Sequence, residues 1–202
     1  MTNKSEVFIS VDIETDGPIP SDFSMLSLGA AVFDQTGNLL STFSANLETL
    51  PGASQHPDTM EWWSKNQEAY NATRQNLIDP KLAMEQFTTW VKEQPGIPVC
   101  VGYPVFFDYQ FLYWYLIHFT GDSPFSFSAL DIKTYASAML DLPYRKSTKK
   151  NMPKHWFPKD PHTHIAVDDA IEQGKLFCSN IFLNPFHQEL SWGLRLFFQF
   201  CL

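Results

Sequence analysis

The chain reads as an α/β protein built on a mixed β-sheet, and three features of its pattern say so. Three β-like runs open it, a block of helix-compatible sequence follows, and short strands then alternate with helices. With 202 residues, 44% hydrophobic and 18% charged, it has enough apolar mass for one compact domain with a sizeable core.

The opening runs are VFISVDI, MLSLGAAVFD and LLSTFSANL, separated by a Gly-Pro-Ile-Pro loop and a Thr-Gly-Asn turn. Apolar, β-branched runs bounded by such turn residues predict a three-stranded meander. From Pro57 the character changes to MEWWSKNQEAYNATRQ and PKLAMEQFTTWVKEQ, the second opening with proline at a favoured first-turn position. A Pro-Gly-Ile-Pro break closes this block. Ile97 to Val101 predicts a short buried strand, with a helix from about Asp108, a strand around 127–130 and a helix over 132–140. Residues 141–165 show neither periodicity and predict a mobile or substrate-facing loop. A final helix is expected over 166–180. The main domain is thus expected over 1–184, and FHQELSWGLRLFFQFCL predicts an amphipathic helical extension over 185–202, suited to core packing or to a partner contact.

Three cysteines, widely spaced and outside any C-x-x-C pattern, suggest neither a disulfide framework nor a zinc site, and point to a reducing cytoplasm. MTNKSEVFISVD runs from polar residues straight into a strand, without the apolar stretch of a signal peptide. The most apolar segment, 106–119, is too short to span a bilayer and carries Asp108, Gln110 and His118, so no membrane association is expected.

Three groups of residues carry chemistry. Asp12 and Glu14 lie two apart in VFISVDIETDG, so on a strand both carboxylates project from one face. Like charges side by side in apolar surroundings resist ionisation unless a cation sits between them. The bland reading is a strand that ends at Asp12 with both acids in solvent. Asp108 opens an aromatic helix in VGYPVFFDYQFL, as a helix N-cap or as part of a ligand site where strand meets helix. In HIAVDDAIEQGKLF, Asp169 enters a periodic helix with His164 five residues before it. A histidine beside an activated water has a suitable pKa to take its proton, although acids at a helix start are also favoured by the helix dipole alone.

As an ordered set, D-x-E on the first strand, Asp at the start of a mid-chain helix and H-x-x-x-x-D on a late helix resemble the DEDD 3′-5′ exonuclease superfamily, and the histidine marks the DEDDh branch. The five-residue step of that branch selects Asp169 over Asp168. The tyrosine branch would place Tyr four before the acid, where Ile165 stands. QHPDTMEWWSKNQEAYNATR further resembles the mycobacterial-type 3′-5′ exoribonucleases and their phage relatives. Where many relatives carry His-Asn before the mid-chain acid, this chain has Gly102, Tyr103 and Pro104, which bears on substrate contacts more than on a metal site.

The resemblance implies a ribonuclease-H-like fold with a five-stranded mixed sheet and helices on both faces. It implies two Mg²⁺ or Mn²⁺ ions on Asp12, Glu14, Asp108 and Asp169, one activating a water that His164 deprotonates and the other steadying the leaving 3′-oxygen. Nucleoside 5′-monophosphates would leave the 3′ end of single-stranded RNA. A DNA exonuclease uses the same acids, and a non-catalytic nucleic-acid-binding module of this fold is a rival of another class. Thr15, Met25 and Leu26 would contact the terminal nucleotide, and Trp62 and Trp63 would pack or stack it, with core aromatic packing the alternative for at least one of them. Relatives are often dimers, so a homodimer is expected by analogy.

The formal net charge of −8 speaks against a polyanionic partner, but four carboxylates committed to two divalent ions would be neutralised. Basic charge is also concentrated: residues 133–159 hold Lys133, Arg145, Lys146, Lys149, Lys150, Lys154 and Lys159 against Asp141 alone, a net of +6. Lys146, Lys149, Lys150 and Lys154 are candidates to track a phosphate backbone, a solvated loop being the plain alternative.

Overall fold

A computed structural model of the protein describes residues 5–157 and 164–178, so the expected extension over 185–202 lies outside the described residues. Strands β1 (Glu6–Thr15), β2 (Met25–Phe33) and β3 (Leu39–Asn46) form the meander, followed by helices α1 (Pro57–Lys65), α2 (Gln67–Thr73) and α3 (Pro80–Lys92). Then come β4 (Ile97–Gly102), α4 (Val105–Thr120), β5 (Leu130–Asp131), α5 (Ile132–Met139) and α6 (Ala166–Lys175). The sheet order is β3-β2-β1-β4-β5. β2 pairs antiparallel with β1 and β3, whereas β4 pairs parallel with β1 and β5, so the sheet is mixed.

Helices cover both faces. Val7, Ile9, Val11 and Ile13 pack with Ala83, Met84 and Phe87 of α3 and Phe111, Leu112 and Tyr115 of α4. On the other face Phe8, Ala31 and Phe33 pack with Ile132 and Ala136 of α5 and Ala170 of α6. β2 lies between these layers and is buried along its whole length, which is why it reads as a near-continuous apolar run.

Four expectations shift. MEWWSKNQEAYNATRQ is two helices broken at Asn66, whose backbone leaves the helical region at φ −125°, ψ 47°. The strand expected around 127–130 is confined to Leu130–Asp131. α4 begins at Val105 behind Pro104, three residues before Asp108, so Asp108 lies inside the first turn and is not its cap. Nor is the basic segment a free loop: it winds into short 3-10 turns at Tyr144–Lys146, Lys149–Asn151 and Lys154–Trp156. Met152 and Trp156 anchor it in the second core, while Lys146, Lys150 and Lys154 are exposed.

Candidate active site

The ladder between β1 and β4 ends at Ser10 and Val101, although β1 continues to Thr15. Beyond that point the edge of β1 needs other partners, because buried backbone polar groups must be satisfied. Side chains supply them. The Ile13 N–H donates to the Asp108 carboxylate at 3.2 Å, and the buried Gln173 amide donates to the Val11 carbonyl. These bonds fix α4 and α6 beside the strand stretch that carries Asp12 and Glu14.

A second device brings α6 close. Gly29 pairs with Asp12 across β1 and β2, and a Cβ on it would lie 2.1 Å from the Ala166 carbonyl carbon and 2.2 Å from the Val167 nitrogen. Only glycine lets the start of α6 rest on the sheet there. Asp169, one turn into α6, is consequently buried, while Asp168 points outward.

Asp12, Glu14, Asp108, Asp169 and His164 line one cavity of about 410 Å³, shared with Ile13, Tyr103, Pro104, Phe107, Lys149 and Gln173. One ligand atom each from Glu14, His164 and Asp169 lies within 4.8 Å of the others. His164 has a left-handed backbone, φ 55°, a conformation uncommon away from glycine and found disproportionately at functional sites.

The electrostatics are those of crowded, poorly solvated carboxylates. Burial, then repulsion from Asp108, Glu14 and Asp169, pushes Asp12 well above the usual carboxylate range, while Lys149 pulls the other way. Glu14 is pushed up to about 8 by burial, then by Asp169 and Asp108. Asp108 is also pushed up to about 8 by burial, partly opposed by the hydrogen bond from Ile13. Three carboxylates that resist bare ionisation, with the buried Asp169 beside them, make a set of hard oxygen donors suited to a divalent cation.

The proposed substrate contacts fare unevenly. Met25 and Leu26 are fully buried in the core and present no surface to a base. Trp63 is buried too, its indole N–H committed to the Thr15 carbonyl at 2.9 Å. Thr15 is buried, with its hydroxyl donating to the Gly17 carbonyl. Trp62 is the exposed member of the pair, 40% accessible, with its ring edge-to-face against His164 at 5.1 Å between centroids. Lys149 reaches the cavity and pairs with Glu172 at 3.2 Å. Lys146, Lys150 and Lys154 are exposed and line no part of that cavity.

Sequence reasoning missed Gly29, Gln173 and the cavity role of Phe107. A lone glycine inside MLSLGAAVF is a recognisable sign of close backbone approach, and Gln173 stands one helical turn after Asp169 on the same face.

Comparison with known proteins places these residues in context. The family model described as the 3′-5′ exoribonuclease Rv2179c-like domain matches residues 7–181. The chain is 34% identical over 181 residues to the Escherichia coli 3′-5′ DNA exonuclease Cap18, covering 88% of this chain and 92% of that protein. Among solved structures, the nuclease domain of 3′hExo, a DEDDh family member bound to rAMP, superposes with a TM-score of 0.65 at 11% identity, covering 86% of this chain and 90% of that one. Pop2p of S. pombe in its Mg²⁺- and Mn²⁺-bound form gives 0.62 at 16% identity, covering 85% and 81%. The fold is ribonuclease-H-like.

Proposed function

We propose, from the premise that this chain belongs to the 3′-5′ exoribonuclease Rv2179c-like domain family and is a 3′-5′ exonuclease of the DEDDh type, that the cavity around Asp12 is its hydrolytic centre. The observation that carries the reading is the convergence of four acids and one histidine, drawn from β1, α4, α6 and the residues just before α6, on a single 410 Å³ cavity. All five come from one chain.

In this reading Asp12, Glu14, Asp108 and Asp169 would hold two divalent cations. Mg²⁺ or Mn²⁺ there would supply the positive charge that offsets the phosphate and favours attack by water at its phosphorus. His164 accepts the proton of the attacking water at a ring nitrogen. Asp108 and Gln173, bonded to β1, keep their helices in register with Asp12 and Glu14. Lys149 meets a non-bridging phosphate oxygen, and the exposed face of Phe107 offers stacking surface to a base near the 3′ end. A pure binding module would have no use for so costly a cluster of like charges.

Single-stranded 3′ ends are the proposed substrate, with RNA as the first reading on the family's description. A DNA substrate is the second reading, favoured by 34% identity to a DNA exonuclease across nearly the whole length of both chains. Paired RNA and DNA oligomers of one sequence, labelled at the 5′ end, test both. Digestion should shorten the labelled strand from its 3′ end, release nucleoside 5′-monophosphates, stop with EDTA and resume with Mn²⁺ or Mg²⁺. Absence of metal-restored digestion on either polymer sinks the proposal, and the ratio of the two rates decides between RNA and DNA.

A further inference from the structure

His164 lies between two open spaces. On one side is the acid-lined cavity, and on the other a space of about 610 Å³ lined by Lys65, Asn66, Glu68 and Ala72 together with His164 and Ile165. The backbone of His164 is left-handed, φ 55°. Trp62 stands beside it, rings nearly perpendicular at 86° and 5.1 Å apart. Trp62 in turn meets Trp63 edge-to-face at 4.7 Å, and Trp63 is bonded through its indole N–H to the Thr15 carbonyl at the end of β1. An unbroken series of contacts therefore runs from the strand that carries Asp12 and Glu14 to the histidine.

We propose that Trp62 is a positioning residue for His164, and that the Trp62-Trp63 pair ties the imidazole to the end of β1. Trp62 is too exposed to serve chiefly as core, and its partner Trp63 already fills the buried place. The contact is of the aromatic kind whose geometry is directional, so an indole or a phenyl ring orients the imidazole where an aliphatic side chain does not. The inference rests on His164 acting as the base.

The test is a double-mutant cycle on metal-supplemented digestion of a single-stranded oligomer, with kcat and KM measured separately. Trp62→Leu should lower kcat by roughly 2- to 12-fold, the range expected for loss of one aromatic pair. KM should stay within about twofold in this reading, and Trp62→Phe should recover most of the rate. In a His164→Ala background the Trp62→Leu change should have no further effect on kcat, because nothing is left to orient. An equal fall in both backgrounds, or an effect confined to KM, overturns the positioning role and makes Trp62 a substrate contact. Wild-type kcat in His164→Ala alone overturns the base assignment itself, and the inference with it, which keeps the two failures distinct.

Discussion

β1 presents two different proteins on its two sides. Val7, Ile9, Val11 and Ile13 face α3 and α4 in an unbroken apolar layer, whereas Phe8, Ser10, Asp12 and Glu14 change along the strand from core to chemistry. The change begins where β4 stops pairing at Ser10, and from there side chains of α4 and α6 take over the strand's edge. One side is stabilised by burial, the other held in place by what is packed around it. The lesson is that fold and site are separable along a single strand: damage to the apolar side should cost stability first, and damage to the acid side should cost activity first.

The largest expected effect tests the acid side. Asp12→Asn should reduce metal-dependent digestion by roughly three orders of magnitude or more. Metal-free thermal stability should not fall, because the substitution removes a like charge from a crowded, buried cluster. An inactive variant that is also markedly less stable without metal would mean that Asp12 holds the fold together, and the separation would fail.

The next effect comes from crossing the two sides. Phe87 is fully buried against Phe43, Trp90 and Phe125, so Phe87→Ala should cost about 3–5 kcal/mol of stability by denaturant titration. Its kcat per folded molecule should be unchanged. Gly29→Ala should do the reverse. Overpacking costs about 1–3 kcal/mol, but the new methyl meets the backbone at Ala166 and Val167, so α6 must retreat and carry Asp169 with it. Activity should then fall by far more than stability does. A fully active Gly29→Ala enzyme would show that the Asp169 position tolerates a displaced helix.

Much of this architecture was legible in the sequence, for physical reasons that differ by region. The meander was readable because VFISVDI and LLSTFSANL are bounded by turn residues, and the acids because D-x-E on a strand and the five-residue step from His164 to Asp169 are local spacings. What failed depended on long-range packing. Met25 and Leu26 sit near the site in sequence, but β2 is covered on both faces and neither can reach a ligand. Trp62 and Trp63 are chemically identical neighbours, and what tells them apart is tertiary: Trp63 bonds to the Thr15 carbonyl and packs on Tyr70. The basic segment lacks any period because it is three short 3-10 turns whose buried residues, Ser147, Met152 and Trp156, are irregularly spaced. Lys149, alone among its described lysines, enters the cavity.

The smallest effect is the pH dependence of stability without metal, and its sign follows from the acid side alone. In the unfolded chain carboxylates ionise near pH 4. In the fold Glu14 and Asp108 hold their protons up to about 8, and Asp12 is raised in the same direction. Between those limits the folded state binds more protons than the unfolded one, so stability falls as pH rises. These groups therefore favour the fold fully below about pH 4, progressively less toward about 8, and change nothing beyond it. In EDTA the melting temperature should accordingly decline by a few degrees from mildly acidic to mildly alkaline pH, after subtraction of the same curve for an Asp12→Asn, Glu14→Gln variant. Saturating Mg²⁺ should flatten the decline, because the cations replace the protons as counter-charge. A difference curve that is flat in EDTA would mean that the four carboxylates are better solvated than their cavity implies, and the contrast between the two sides of β1 would be one of shape and not of charge.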